Sequence, residues 1–397
     1  MLNPNMVREA TRLTRSGRLV EATALLQRML RGESAPATDA AGPARTKPGR
    51  LEPPTIEGKA TRVAEREHQR ARAAPTQAAS AQARRRPRAV VGEIPGLNLR
   101  GPIRRAPAMR EIAPEGTRFI EGSFANAAGR RSYKLFIPSC SKGQPLPLVV
   151  MLHGCTQSPD DFAAGTRMNF LAEEQSCFVV YPEQPSGANQ AKCWNWFRSA
   201  DQQRDGGEPS LIAGITRQIM RKHAIDPKRV YVCGLSAGGA AAAIMAATYP
   251  DLYAAAGIHS GLACGVARDL PSALVAMRQG GVSDVTADAR SAVPTIVFHG
   301  DRDTTVHPDN ADRIVAQSSG ATRQTKSVVR GRVPGGHAYT RTMSADPDGK
   351  VTSEHWTIHG AGHAWSGGSP AGSYTDPKGP DATREMLRFF LAHSLAS

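Results

Sequence analysis

Gly234-Leu235-Ser236-Ala237-Gly238 is the segment of this chain best suited to chemistry. A serine hydroxyl is a weak nucleophile until a base takes its proton and an acid orients that base. It must also be presented to a substrate. The apolar run Arg229-Val230-Tyr231-Val232-Cys233-Gly234 leads into the pattern, and Ala240-Ala241-Ala242-Ala243 opens a small-residue helix out of it. A sharp strand-to-helix turn of this kind raises the serine hydroxyl above a sheet, and its glycines let strand and helix approach closely.

In such folds the acid and then the base follow the serine along the chain. After the apolar run 295–299 come Asp301 and Asp303, two carboxylates at a strand's carboxyl end, where open α/β sheets place their sites. Eleven histidines compete for the base. His363 is chosen because it sits in the loop Gly360-Ala361-Gly362-His363 after the last strand; His299 and His355 lie within strands, and His307 and His359 are nearby alternatives. Acyl transfer also needs donors for a tetrahedral oxyanion. The backbone N–H of Ala237, next to the serine, is one. The other is assigned to Cys155, in the loop His153-Gly154-Cys155, with His153 as a brace of that loop rather than a proton carrier.

These residues need a sheet to hold them. Residues 132–138 alternate like a strand ending at a proline, and 148–153, 177–182, 229–234, 253–258, 295–299 and 355–358 are short apolar runs. Continuous apolar runs suit strands covered on both faces of a parallel sheet. Helical spacing over 211–223, 237–249 and 383–392 completes an alternation of strands and helices, so an α/β protein with a mainly parallel central sheet is expected.

The chain has 397 residues and a formal net charge of +15, but that charge is unevenly spread. Residues 1–115 hold 22 Lys/Arg against 11 Asp/Glu, whereas 116–397 hold 28 against 24. The first 118 residues contain no Phe, Trp, Tyr or Cys. Three parts are therefore expected: a helical hairpin over 1–31, a basic Pro/Ala/Arg-rich flexible linker over 32–115, and a catalytic domain over 116–397. The hairpin is suited to self-association or to lying on the main domain. Arg84 to Arg88 could touch an anionic surface, but with no aromatic neighbours for stacking nucleic acid is not an expected partner. No run approaches the roughly 18 apolar residues of a membrane span. No cofactor is expected, and no His/Cys/Asp grouping has metal-ligand spacing. The opening thirty residues lack an apolar signal core, so a cytoplasmic location is expected.

Five ordered motifs resemble the polyhydroxybutyrate (PHB) depolymerase family of esterases, relatives of feruloyl and acetylxylan esterases. They are Leu152-His153-Gly154-Cys155-Thr156-Gln157, Tyr181-Pro182-Glu183-Gln184, Cys193-Trp194-Asn195-Trp196-Phe197, Arg229 to Gly239, and Gly362-His363-Ala364-Trp365-Ser366-Gly367-Gly368. The resemblance covers about residues 118–395. It implies an α/β-hydrolase fold and a Ser236–Asp303–His363 triad, Asp303 being chosen over Asp301 because the family's acid falls three residues after a His-Gly pair. It also implies Trp194 and Trp365 as walls of a substrate groove, and a disulfide between Cys155 and Cys193. The expected substrates are polyhydroxyalkanoate-type, oligomeric or short-chain esters, with feruloyl or acetylxylan esters as the alternative. Secretion is the alternative location, since related members are extracellular.

Overall fold

The computed structural model describes residues 112–281, 292–319 and 324–396. The expected hairpin and nearly all of the expected linker lie outside the described residues. Residues 112–115 were assigned to the linker, yet the Ile112 carbonyl accepts a hydrogen bond from the Asn169 amide at 2.9 Å, so chain before the expected boundary is tied to the domain.

A hairpin opens the sheet: β1 (Arg118–Asn126) and β2 (Gly129–Ile137). Next come β3 (Leu146–Leu152), helices α1 (Pro159–Thr166) and α2 (Met168–Glu174), β4 (Phe178–Pro182) and the long α3 (Gly207–Lys222). The chain continues through β5 (Ile225–Leu235), α4 (Ala237–Thr248), β6 (Ala255–His259), α5 (Leu270–Gln279), β7 (Thr295–Gly300) and α6 (Asp309–Ser319). It closes with β8 (Thr325–Arg332), β9 (Ala338–Ala345), β10 (Val351–His359), the two-residue strands β11 (Trp365–Ser366) and β12 (Thr375–Asp376), and α7 (Ala382–Leu391).

Ten strands form one sheet in the order β1-β2-β4-β3-β5-β6-β7-β10-β9-β8. The six from β4 to β10 pair in parallel, and both margins are antiparallel. Every residue of β3, β4, β6 and β7 is buried, because helices cover both faces. Alternation persists inside that burial. Leu148, Val150 and Leu152 pack in the layer of Ile212, Ile215 and Ile244, while Val149 and Met151 pack with Phe162, Leu387 and Phe390 on the other face. The sequence reading did not identify β8 and β9. Val328 and Val329 of β8 face solvent, so the strand carries no one-sided apolar pattern to read.

The central strands deliver their carboxyl ends to one edge, and the tightest contact there is between backbones. A Cβ placed on Gly238 would lie 2.0 Å from the Leu152 carbonyl oxygen and 2.5 Å from that of His153. Neither oxygen is on a side chain that could swing aside. Gly238→Ala is therefore expected to destabilise the fold by about 3 kcal/mol in urea denaturation. Gly187→Ala, where an added Cβ meets nothing within 4 Å, is the control and should change stability by no more than about 0.5 kcal/mol.

Candidate active site

Ser236 occupies the turn between β5 and α4 with φ 56° and ψ −120°, outside the ordinary regions for a residue with a side chain. Its backbone N–H donates to the His259 carbonyl at 2.9 Å, which fastens the turn to the end of β6. On the other side, a Cβ on Gly154 would stand 3.7 Å from the Ser236 Cβ, so the loop after β3 lies against the serine. Neither the Cys155 nor the Ala237 backbone N–H has an acceptor among the described residues. Two free N–H groups beside a raised serine are what an oxyanion would need.

The structure separates the two carboxylates. Asp303 Oδ2 accepts from His363 Nδ1 at 2.7 Å, and Oδ1 accepts the backbone N–H groups of Thr305 and Val306, both at 2.9 Å. His299 Nε2 lies 3.4 Å from Asp303 Oδ2 and 2.9 Å from the Val306 carbonyl oxygen. A carbonyl can only accept, so His299 carries its proton on Nε2, and its buried Nδ1 has no partner among the described residues. Burial works against the Asp303 charge. Hydrogen bonds from His299 and His363, the His363 charge and the Val306 N–H overcome it and hold the carboxyl well below the usual range. With Nδ1–H committed to Asp303, His363 is left with Nε2 as its basic nitrogen. Asp301 is engaged elsewhere: it accepts from His359 Nδ1 at 2.9 Å and from the Gly360 N–H at 2.7 Å. It braces the loop after β10.

A buried polar network backs the loop after β3. His153 Nδ1 donates to the Gly154 carbonyl at 2.8 Å, and Nε2 accepts the Gln184 N–H at 3.1 Å. Burial pushes the His153 imidazole down to about 4, against the opposing pull of the Gly154 hydrogen bond, so the ring is a neutral strut at pH 7. Gln184 accepts from Arg131 Nε at 2.9 Å and donates to Glu208, whose other oxygen takes the Asn195 N–H at 2.7 Å. Cys155 and Cys193 are joined as a disulfide, with Cα atoms 4.2 Å apart.

Both tryptophan assignments need correction. Trp194 is 0% exposed and its indole N–H donates to the His153 carbonyl at 3.1 Å. Trp365 is 1% exposed, donates to Thr383 Oγ1 at 2.9 Å and stacks on the His259 ring. Neither has surface to offer a substrate; both are packing pieces that hold the loops. Sequence reading also missed His259 and the role of His299. His259 ends β6, accepts the Ser366 N–H on Nε2 at 3.0 Å, and feels the charges of His363 and Asp303. A histidine closing an apolar strand resembles any other buried one; only the fold reveals that its carbonyl holds the Ser236 turn and its ring the loop after His363.

The family model described as esterase PHB depolymerase matches residues 131–329. The chain belongs to this esterase family. The matched segment contains Ser236, Asp303 and the oxyanion loop but stops short of His363, which reaches the site through the sheet. Among curated relatives, poly(3-hydroxyalkanoate) depolymerase C of Paucimonas lemoignei is 37% identical over 228 residues, 55% of this chain and 54% of that protein. A probable acetylxylan esterase A of Aspergillus clavatus is 29% identical over 193 residues, 44% of this chain and 61% of that protein. The chain spans about half the length of the curated relatives it matches. An acetyl xylan esterase structure from Aspergillus awamori superposes with a TM-score of 0.52 at 20% identity, covering 69% of this chain and 99% of that one. The PHB depolymerase-family domain thus has the α/β-hydrolase fold.

Two outcomes follow for this esterase-family site. Asp303→Asn should lower kcat about a thousandfold or more, because an amide favours the wrong tautomer of His363, while Asp301→Asn should cost less than about tenfold; steady-state kinetics on a small ester ranks them. Stability should also fall in acid. The folded-state value of His153 is depressed, so its contribution is complete above 6.5 and is lost as pH falls from there toward about 4. His153→Gln should be less stable at pH 7 but lose about 2 kcal/mol less than wild type on going from pH 7 to 5, measured by urea denaturation.

Proposed function

We propose that this chain is a serine carboxylic-ester hydrolase that cleaves polyhydroxyalkanoate-type or short-chain esters through an acyl-enzyme, with residues 116–397 as the catalytic unit. The observation that carries the reading is the Asp303–His363 hydrogen bond at 2.7 Å on the same sheet edge as the strained Ser236 turn. In this reading His363 Nε2 takes the Ser236 proton as Oγ attacks the ester carbonyl. The developing oxyanion is met by the Cys155 and Ala237 N–H groups, and Asp303 stabilises the imidazolium. His363 then protonates the leaving alcohol, and a water activated by the same histidine releases the acid.

The likeness to the Paucimonas lemoignei depolymerase favours a hydroxyalkanoate ester. The second reading, an acetylxylan- or feruloyl-type esterase, draws on the acetylxylan esterase relative and uses the same residues. Among the described residues no helix is long and apolar enough to cross a membrane.

Ser236→Ala should abolish hydrolysis of p-nitrophenyl butyrate and leave the melting temperature nearly unchanged. Turnover above a few per cent of wild type would remove the nucleophile assignment. A panel of a hydroxybutyrate oligomer, acetylated xylan and methyl ferulate separates the two substrate readings.

A further inference from the structure

With Trp194 and Trp365 buried, neither supplies the aromatic wall that the sequence suggested. Another residue has the position for it. Tyr374 is 48% exposed, the most exposed of the described Phe, Tyr and Trp residues. Its hydroxyl lies 3.1 Å from Thr156 Oγ1. Thr156 directly follows Cys155, the proposed oxyanion donor, and is two residues from Gly154, which lies against Ser236. The Tyr374 carbonyl accepts the Trp365 N–H at 2.7 Å, two residues beyond His363. Tyr374 therefore bridges the oxyanion loop and the base loop at the rim of the site.

Both ends of this bridge are strained. Tyr374 has φ 51° and Thr156 has φ 65°, left-handed values that are uncommon for bulky residues and outlying for β-branched ones. Such conformations persist only where the surroundings over-determine them. Here they do. Ser373 bonds to Asp161 and to Gln157 Nε2, and Thr375 pairs with Trp365 in the β11–β12 ladder. A ring that served the core would be buried, whereas this one is held half in solvent by a backbone that disfavours it.

We propose that Tyr374 is a substrate-contacting residue whose ring face supports the aliphatic chain of the ester where it leaves the oxyanion loop. The phenol tip is occupied by Thr156, so the surface left for a ligand is the apolar ring face. That suits uncharged alkyl or hydroxyacyl segments. The proposal rests on the esterase reading above, and its test can fail separately.

Asparagine tolerates the left-handed region, so Tyr374→Asn removes the ring without adding backbone strain. Wild type, Tyr374→Asn and Tyr374→Phe are compared on p-nitrophenyl esters from acetate to octanoate and on acetate esters of rising alcohol length. The expected result is that Tyr374→Asn melts no lower than wild type. In one of the two series its KM for the longest ester should rise about tenfold with kcat within twofold, while the shortest ester changes less than twofold. Tyr374→Phe, which keeps the ring, should stay within about threefold of wild type throughout. An unchanged length profile in both series, an equal loss on short and long esters, or a clear drop in melting temperature for Tyr374→Asn would overturn the proposal. An inactive wild type, or activity surviving Ser236→Ala, would instead overturn the esterase reading.

Discussion

Three backbones meet at the Ser236 turn with no room for side chains between them, and the rest of the site depends on that meeting. The end of β3 presses on Gly238, where an added Cβ would stand 2.0 Å from the Leu152 oxygen. The end of β6 presses on Gly239, whose Cβ would stand 3.0 Å from the His259 oxygen. Between them the Ser236 N–H is held by that same His259 carbonyl at 2.9 Å. A left-handed serine costs on the order of 1–3 kcal/mol, and a turn pinned from both neighbouring strands can sustain it. The adjacency β3-β5-β6 in the sheet is thus the condition for holding Ser236 in this turn against the loop after β3. The run of alanines opening α4 keeps the helix close enough to seal the contact.

Around this turn the histidines divide the electrostatic work. His153 and His259 are buried deeply enough to be held neutral, and each uses one ring nitrogen to accept a backbone N–H from a loop it positions. His299 spends its Nε2–H on Val306 and Asp303. Asp303 keeps its charge in a nearly closed setting, with the His299 and His363 rings as its hydrogen-bonded partners. In the proposed reaction, an imidazolium formed at His363 would find its counter-charge already in place and need no solvent rearrangement to be stabilised, which is the advantage of fixed polar surroundings over water.

How much of this was legible in the sequence follows from what a sequence pattern reports. Burial on both faces writes an uninterrupted apolar run, so β3, β4, β5 and β7 and the turn at Ser236 could be read directly. Asp301 and Asp303 could not be told apart from their residues alone, since both follow the same strand; the structure distinguishes them by their partners, His359 with Gly360 for one and His363 for the other. The network behind the oxyanion loop was invisible for a related reason. Arg131 and Glu208 are 77 residues apart and meet only because α3 packs beside the β2 margin. Trp194 misled because exposure is a property of the fold. An indole in a loop near a site reads as a wall, whereas the same indole donating to the His153 carbonyl is a strut.

The matched family segment ends at residue 329, before the base, so the means by which His363 reaches the acid must lie in contacts across that limit. Three are visible. His259 Nε2 takes the Ser366 N–H, the Thr166 carbonyl takes the Thr383 hydroxyl at 2.7 Å, and Gln157, which holds the Gly154 N–H, also bonds to Ser373. Each joins an atom of the matched segment to the chain that follows the base. The sheet contributes a further tie, since β10 pairs in parallel with β7 and brings the His363 loop beside the Asp303 loop. Moving His363 away from Asp303 would require breaking several of these together. The Asp303–His363 hydrogen bond, assembled from distant parts of the chain, is thereby tied in place from several directions.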